Sequence, residues 1–205
     1  MNWLALDTAL GVKIILSVNG KIYKFTDEEY KMASTVLLPK IDELLSKANV
    51  TISDIDVFAT TIGPGSFTGI RIAVNTARAF AYAQNKPIIG IDCLTVGAYS
   101  CEADCTSVLY GWGDNYYLAK FDKTHRMTEE AKAIKEEELS AISGFTVTDK
   151  TTSQVIPSAY VYDGTECFIK AVEDKLAKNE FGSYNDIKPF YVMPSQAERD
   201  LANKK

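Results

Sequence analysis

The apolar positions of this chain change period several times, and each change predicts an element. Trp3 to Thr8 is a short apolar run, Val12 to Val18 a second and Lys21 to Phe25 a third. Asn19-Gly20, between the last two, is the strongest short-range signal of a β-hairpin. From about Glu29 the spacing shifts to three and four, with Val36, Leu37, Ile41, Leu44, Leu45 and Ala48 on one stripe. That pattern predicts an amphipathic helix ending near Asn49. Ile55 to Ile62 reads as a buried strand stopped by Gly63-Pro64-Gly65. A helix from about Thr68 to Gln84, a strand from Pro87 to Ile91 and a short helix from Leu94 to about Ala103 follow. An antiparallel hairpin fused to parallel crossovers gives an α/β fold with a mixed sheet.

The remainder is less regular. Ser107 to Gly111 and Tyr116 to Phe121 read as a hairpin around Trp112-Gly113-Asp114-Asn115. Thr128 to Ile142 is rich in Glu, Lys and Ala and favours a helix on propensity, but its apolar residues share no clean stripe, so a strand followed by a helix stays open. Phe145 to Thr148 and Ala159 to Tyr162 are expected strands, and Glu166 to about Lys178 a helix. No repeat or low-complexity linker is visible. The change of pattern near residue 104 divides the chain into a first domain, 1–103, and a smaller second α/β domain, 104–205.

Composition narrows the function more than the fold. The 205 residues are 46% hydrophobic and 24% charged, as in an ordinary globular protein. The net charge is −5 with no basic run, which argues against unaided nucleic-acid binding. No apolar stretch approaches the ~20 residues of a membrane helix, and the opening Met1 to Asp7 has neither a basic leader nor a cleavage site, so a cytoplasmic protein with no membrane partner is expected. The four cysteines, Cys93, Cys101, Cys105 and Cys167, form no CxxC pair, and His125 is the only histidine, so neither a zinc site nor histidine-based catalysis is expected. Cys101 and Cys105 have the spacing of one helix face, and His125 lies in a polar run that reads as a solvated turn.

Three features carry candidate chemistry. The loop Gly63-Pro64-Gly65-Ser66-Phe67-Thr68-Gly69-Ile70-Arg71 joins a buried strand to a helix. Its glycines permit left-handed backbone, Ser66 or Thr68 caps the helix, and the helix N-terminus suits an anion. The same residues also serve a purely structural turn. Asp7-Thr8 closes the first strand, where a carboxylate can hold hydrated magnesium beside a phosphate, or simply turn the chain. Gly69, Ala73, Ala77 and Ala81 stack at four-residue spacing, a small-residue ridge that suits close helix packing, in the core or between subunits.

Leu4-Ala5-Leu6-Asp7-Thr8-Ala9, Leu37-Leu38-Pro39 with Ile41-Asp42-Glu43-Leu44-Leu45, the GPGSFTGxR loop and Pro87-Ile88-Ile89-Gly90-Ile91 together resemble the bacterial TsaB (YeaZ) family. The resemblance covers about half the chain closely. It implies a two-domain fold of the actin, sugar kinase and Hsp70 superfamily (ASKHA, RNase H-like). It also implies a non-catalytic subunit that pairs with TsaD and, with the ATPase TsaE, supports threonylcarbamoyl transfer to N6 of adenosine 37 of tRNAs reading ANN codons. Contact with tRNA would come only through the complex, and the isolated subunit forms homodimers. On that pattern the helices of about Tyr30 to Ala48 and Thr68 to Gln84 form the interface, with Leu38, Ile41, Leu45, Ile70, Ala73, Val74, Ala77, Arg78 and Ala81 as contact candidates. No catalytic or metal residue is expected, because the catalytic relative's histidine pair has no counterpart. No cofactor is required. Weak ATP or ADP binding would involve Asp7, Thr8, Gly63, Gly65, Ser66, Thr68, Gly69 and Arg71, and Asp163-Gly164-Thr165 weakly matches an adenosine-side motif.

The chain departs from the pattern at Ala33-Ser34, at Tyr110 to Asp114 and at Met193. The competing reading is an autonomous ATP-binding phosphotransferase built on Asp7 and the glycine loop. A peptidase lacks both a metal-ligand pair and a Ser-His-Asp arrangement.

Overall fold

The computed structural model describes residues 1–27 and 32–194. Strands β1 (Trp3–Asp7), β2 (Val12–Val18) and β3 (Lys21–Asp27) form a meander, turned at Asn19 and Gly20, which both hold positive φ (49° and 79°) as a primed hairpin turn requires. Helix α1 (Ala33–Ala48), strand β4 (Val57–Thr61), helix α2 (Phe67–Gln84), strand β5 (Ile88–Ile91) and helix α3 (Cys93–Ala98) follow. The sheet order is β3-β2-β1-β4-β5, antiparallel through β1 and parallel beyond it. The start of the first predicted helix, near Glu29, lies outside the described residues.

The second sheet contains β6 (Cys105–Tyr110), β7 (Asn115–Phe121), β8 (Met127–Lys135), β9 (Thr146–Thr148) and β10 (Tyr160–Val161), and α4 (Gly164–Ala177) comes after it. Its order from the antiparallel edge is β8-β7-β6-β9-β10, with two antiparallel and then two parallel pairings. This repeats the first sheet strand for strand, although the sequence shows no repeat.

Successive residues of β1 face opposite sides. Leu4 and Leu6 enter a core with Leu37, Ile41 and Leu44 of α1 and Ala73, Ala77 and Ala81 of α2. Trp3 and Ala5 face a second core that runs through α3 to Leu109, Ala119 and Phe121 and to Phe168 and Val172 of α4. The two sheets thus share buried contacts across residue 104. Residues 182–191 return to the first sheet. Gly182 exchanges backbone hydrogen bonds with Ile88, and Phe190 N–H donates to Ile62 C=O at 2.7 Å.

Of the two readings left open for residues 128–142, the structure takes the strand followed by a helix: residues 127–135 form β8 and Glu136–Ala141 a short 3-10 turn, because the hydrogen-bond ladder with β7 overrides helix propensity. Two local expectations need correction. Cys101 and Cys105 do not share a helix face, since α3 ends at Ala98 and Cys105 begins β6. His125 does sit in a turn, at φ 63°, but its ring is half-buried, stacked on Tyr99 with centroids 4.0 Å apart and within hydrogen-bond distance of Cys101 C=O.

Candidate functional site

β1 ends on Asp7, and the hairpin register sets Lys13 of β2 directly opposite. Both are buried, at 3% and 9% exposure. Lys13 Nζ donates to Asp7 Oδ2 and to Leu10 C=O, each at 2.7 Å. Asp7 Oδ1 accepts from Ala9 N–H at 2.8 Å and from the Thr61 hydroxyl at 2.6 Å. Both carboxylate oxygens are therefore engaged by the protein's own donors. Burial opposes the charge on Lys13, but the charge and hydrogen bond of Asp7 outweigh it, with a smaller contribution from Asp149, and the lysine pKa is raised.

Thr8 is committed in the same way. Its hydroxyl donates to Gly69 C=O and accepts from Ala73 N–H at 3.1 Å, tying the end of β1 to the first turns of α2. A Cβ on Gly69 would collide with the Thr8 carbonyl, so glycine is what allows this approach. Gly63 (φ 107°) and Gly65 (φ 155°) hold left-handed backbone, packed against Phe190 and Ala9 respectively. Ser66 N–H donates to Ala9 C=O at 3.0 Å, and the Ser66 hydroxyl caps α2 by accepting Gly69 N–H at 3.2 Å.

Asp7, Thr8, Gly63, Gly65, Ser66 and Gly69 thus meet in one packed corner. Thr68 and Arg71 are exposed on the outer side of α2. Arg71 Nε donates to the Tyr191 hydroxyl at 3.0 Å, and its guanidinium lies 4.0 Å from the centre of the Phe67 ring. Asp163, of the Asp163-Gly164-Thr165 segment, caps α4 by accepting Thr165 and Glu166 N–H.

Of the interface candidates, Ile41, Leu45, Ile70, Ala73, Val74, Ala77 and Ala81 are turned inward and buried in the protein's own core. The small-residue ridge brings α2 close to the sheet. Arg78 is half-buried, its Nε donating to Tyr184 C=O at 2.9 Å. Leu38 alone among them is broadly exposed, at 52%. With Phe67, Arg71, Ile72 and Asn75 it lines a groove of about 410 Å³ between α1 and α2. The sequence reading missed Lys13, although a lone lysine in an apolar strand six residues after a buried aspartate was its signal. It also missed Tyr184 and Tyr191, whose role depends on a distant return of the chain.

Two sheets of one topology, packed through a common core that includes α3 and α4, with α1 and α2 on the far face of the first sheet, define an α/β protein of the actin, sugar kinase and Hsp70 type. The family profile described as "TsaD: tRNA N6-adenosine threonylcarbamoyltransferase" matches residues 30–163. A Buchnera aphidicola (Schizaphis graminum) protein named tRNA threonylcarbamoyladenosine biosynthesis protein TsaB is 33% identical over 94 residues, 45% of each chain. The Escherichia coli protein of that name is 26% identical over the full length of both. A Pseudomonas aeruginosa structure, described as similar to peptidase YEAZ, superposes with a TM-score of 0.80 at 20% identity, covering 94% of this chain and 99% of the other. The chain belongs to this family, in its TsaB (YeaZ) branch. The matched stretch spans less than half the length of the Buchnera relative. Among the described residues, no helix is long and apolar enough to cross a membrane.

Proposed function

We propose that this protein is a cytoplasmic, non-catalytic subunit in the formation of threonylcarbamoyladenosine in tRNA. It pairs with TsaD through the outer surfaces of α1 and α2, works alongside TsaE and meets tRNA only within the complex. The observation that carries the non-catalytic reading is Asp7, whose two oxygens already accept bonds from Lys13, Ala9 and Thr61. The phosphotransferase alternative needs that carboxylate free to hold a metal. The groove beside Leu38 and Phe67 supports the partner reading, since an apolar floor rimmed by Arg71 and Asn75 has the mixed character of a protein interface. The same surface would serve a homodimer in isolation.

Reconstitution of tRNA modification tests this. The chain alone transfers no threonylcarbamoyl, and adding it to TsaD and TsaE raises the rate. Leu38→Asp weakens binding to TsaD at least about tenfold while stability stays within about 0.5 kcal/mol, as expected of an exposed substitution. Transfer by the chain alone, or rapid ATP turnover by it, overturns the reading.

A further inference from the structure

The superfamily fold implies a magnesium nucleotide between the two sheets, and the residues at the end of β1 do not fit one. Lys13 Nζ lies 2.7 Å from a carboxylate oxygen, Asp7 Oδ2, and 2.7 Å from a peptide oxygen, Leu10 C=O. Hard oxygen donors of these two kinds are what magnesium and calcium select. Here they are occupied by an ammonium carried on the adjacent strand. The other carboxylate oxygen is held by Ala9 N–H and the Thr61 hydroxyl.

The space above is also taken. A Cβ built on Gly164 would lie 3.2 Å from Lys13 Cε and 3.8 Å from its Nζ, so the start of α4 rests directly on the lysine. Tyr162, just before α4, is buried at 7% exposure, and its hydroxyl has no hydrogen-bond partner among the described residues, so this end of the junction is shut off from solvent.

We infer that the Lys13 ammonium is a built-in cation, standing where a divalent metal would bind and joining the first sheet to the start of α4 without any ligand. This goes beyond the role of the outer groove and does not depend on the identity of the partner. It assigns a positive function to a residue that otherwise reads as an anomaly, a lysine inside a fully buried strand. It also makes an unusual demand of the protein. Removing the lysine leaves Asp7 Oδ2 and the Leu10 carbonyl facing each other with no cation between them, so the variant should accept a metal that the natural protein refuses.

The test uses the full chain and manganese(II), which takes the same oxygen donors and is read directly by electron paramagnetic resonance. Wild type is expected to bind neither manganese nor Mg-ADP nor Mg-ATP at millimolar concentration, by resonance titration and by unchanged melting temperature. Lys13→Ala is expected to melt at a lower temperature, to bind about one manganese at least tenfold more tightly than wild type, and to recover stability as it does so. The double variant Asp7→Asn with Lys13→Ala loses that binding. If Lys13→Ala does not fold, Lys13→Gln, which retains most of the side-chain volume, carries the same titration. Nucleotide binding by wild type that Asp7→Asn abolishes overturns the inference. So does a folded Lys13 variant that takes up no manganese, because the lysine is then structural filling only.

Discussion

The two faces of α2 make opposite use of the same helix. The inner face, Gly69, Ala73, Ala77 and Ala81, has almost no side chain, and this lets the helix backbone approach β1 until the Thr8 hydroxyl bridges Gly69 C=O and Ala73 N–H. The outer face, Phe67, Arg71, Asn75 and Tyr82, carries large and polar groups that touch only α1, the returning chain or nothing. Small residues at regular spacing therefore mark where a helix is pressed closest, and large exposed ones mark where it is still available.

The largest expected effect comes from violating the inner face. Ala77→Asp places a carboxylate in a site with no exposure and no partner, and should cost about 3 kcal/mol or more, read as loss of a cooperative melt or of soluble protein. Retention of wild-type stability would mean that the ridge is not the closely packed side. Next comes Thr8→Val, which preserves shape but leaves a buried N–H and C=O without their bridging hydroxyl. It should cost about 1–3 kcal/mol in denaturant unfolding, with the slope unchanged.

The smallest effect belongs to the outer surface. Lys40 and Lys47 flank Glu43 on α1 and hold its carboxyl down at about 2. Because the folded value lies below the unfolded one, the stabilisation is present above the ordinary carboxylate range and is lost as pH falls toward 2. The group is exposed, so the effect should shrink with added salt. Titration of the Glu43 carboxyl by NMR at low and high ionic strength checks both statements.

Where α2 runs was legible in the sequence; what its ridge touches was not. Alanine every fourth residue specifies close approach without naming the neighbour, and in the folded chain that neighbour is the protein's own core, one of the two readings the ridge allowed. The first sheet was readable because its apolar runs are bounded by Asn-Gly and Gly-Pro-Gly punctuation. β8 was not. As an edge strand it carries Glu129, Glu130 and Lys132 where a central strand would carry valine, a composition that guards against edge pairing but imitates a solvated helix. At the candidate site, Asp7, Thr8 and the glycine loop stood out in the sequence as residues suited either to a phosphate and magnesium or to a structural turn, and the structure packs them against one another. Their engagement by Lys13, Thr61 and Gly69 depends on strand register and helix approach, which composition alone does not encode.

The return of residues 182–191 gives the first sheet a debt to the last part of the chain. Gly182 pairs with Ile88 on the outermost strand, and Tyr184 and Tyr191 clasp α2 through Arg78 and Arg71. A ribosome making this protein releases β1 through α3 long before those partners exist. The nascent first half must therefore wait, with one sheet edge and one helix flank uncovered, until the entire second sheet has been synthesised. A fragment ending at residue 103 would keep those surfaces bare for good.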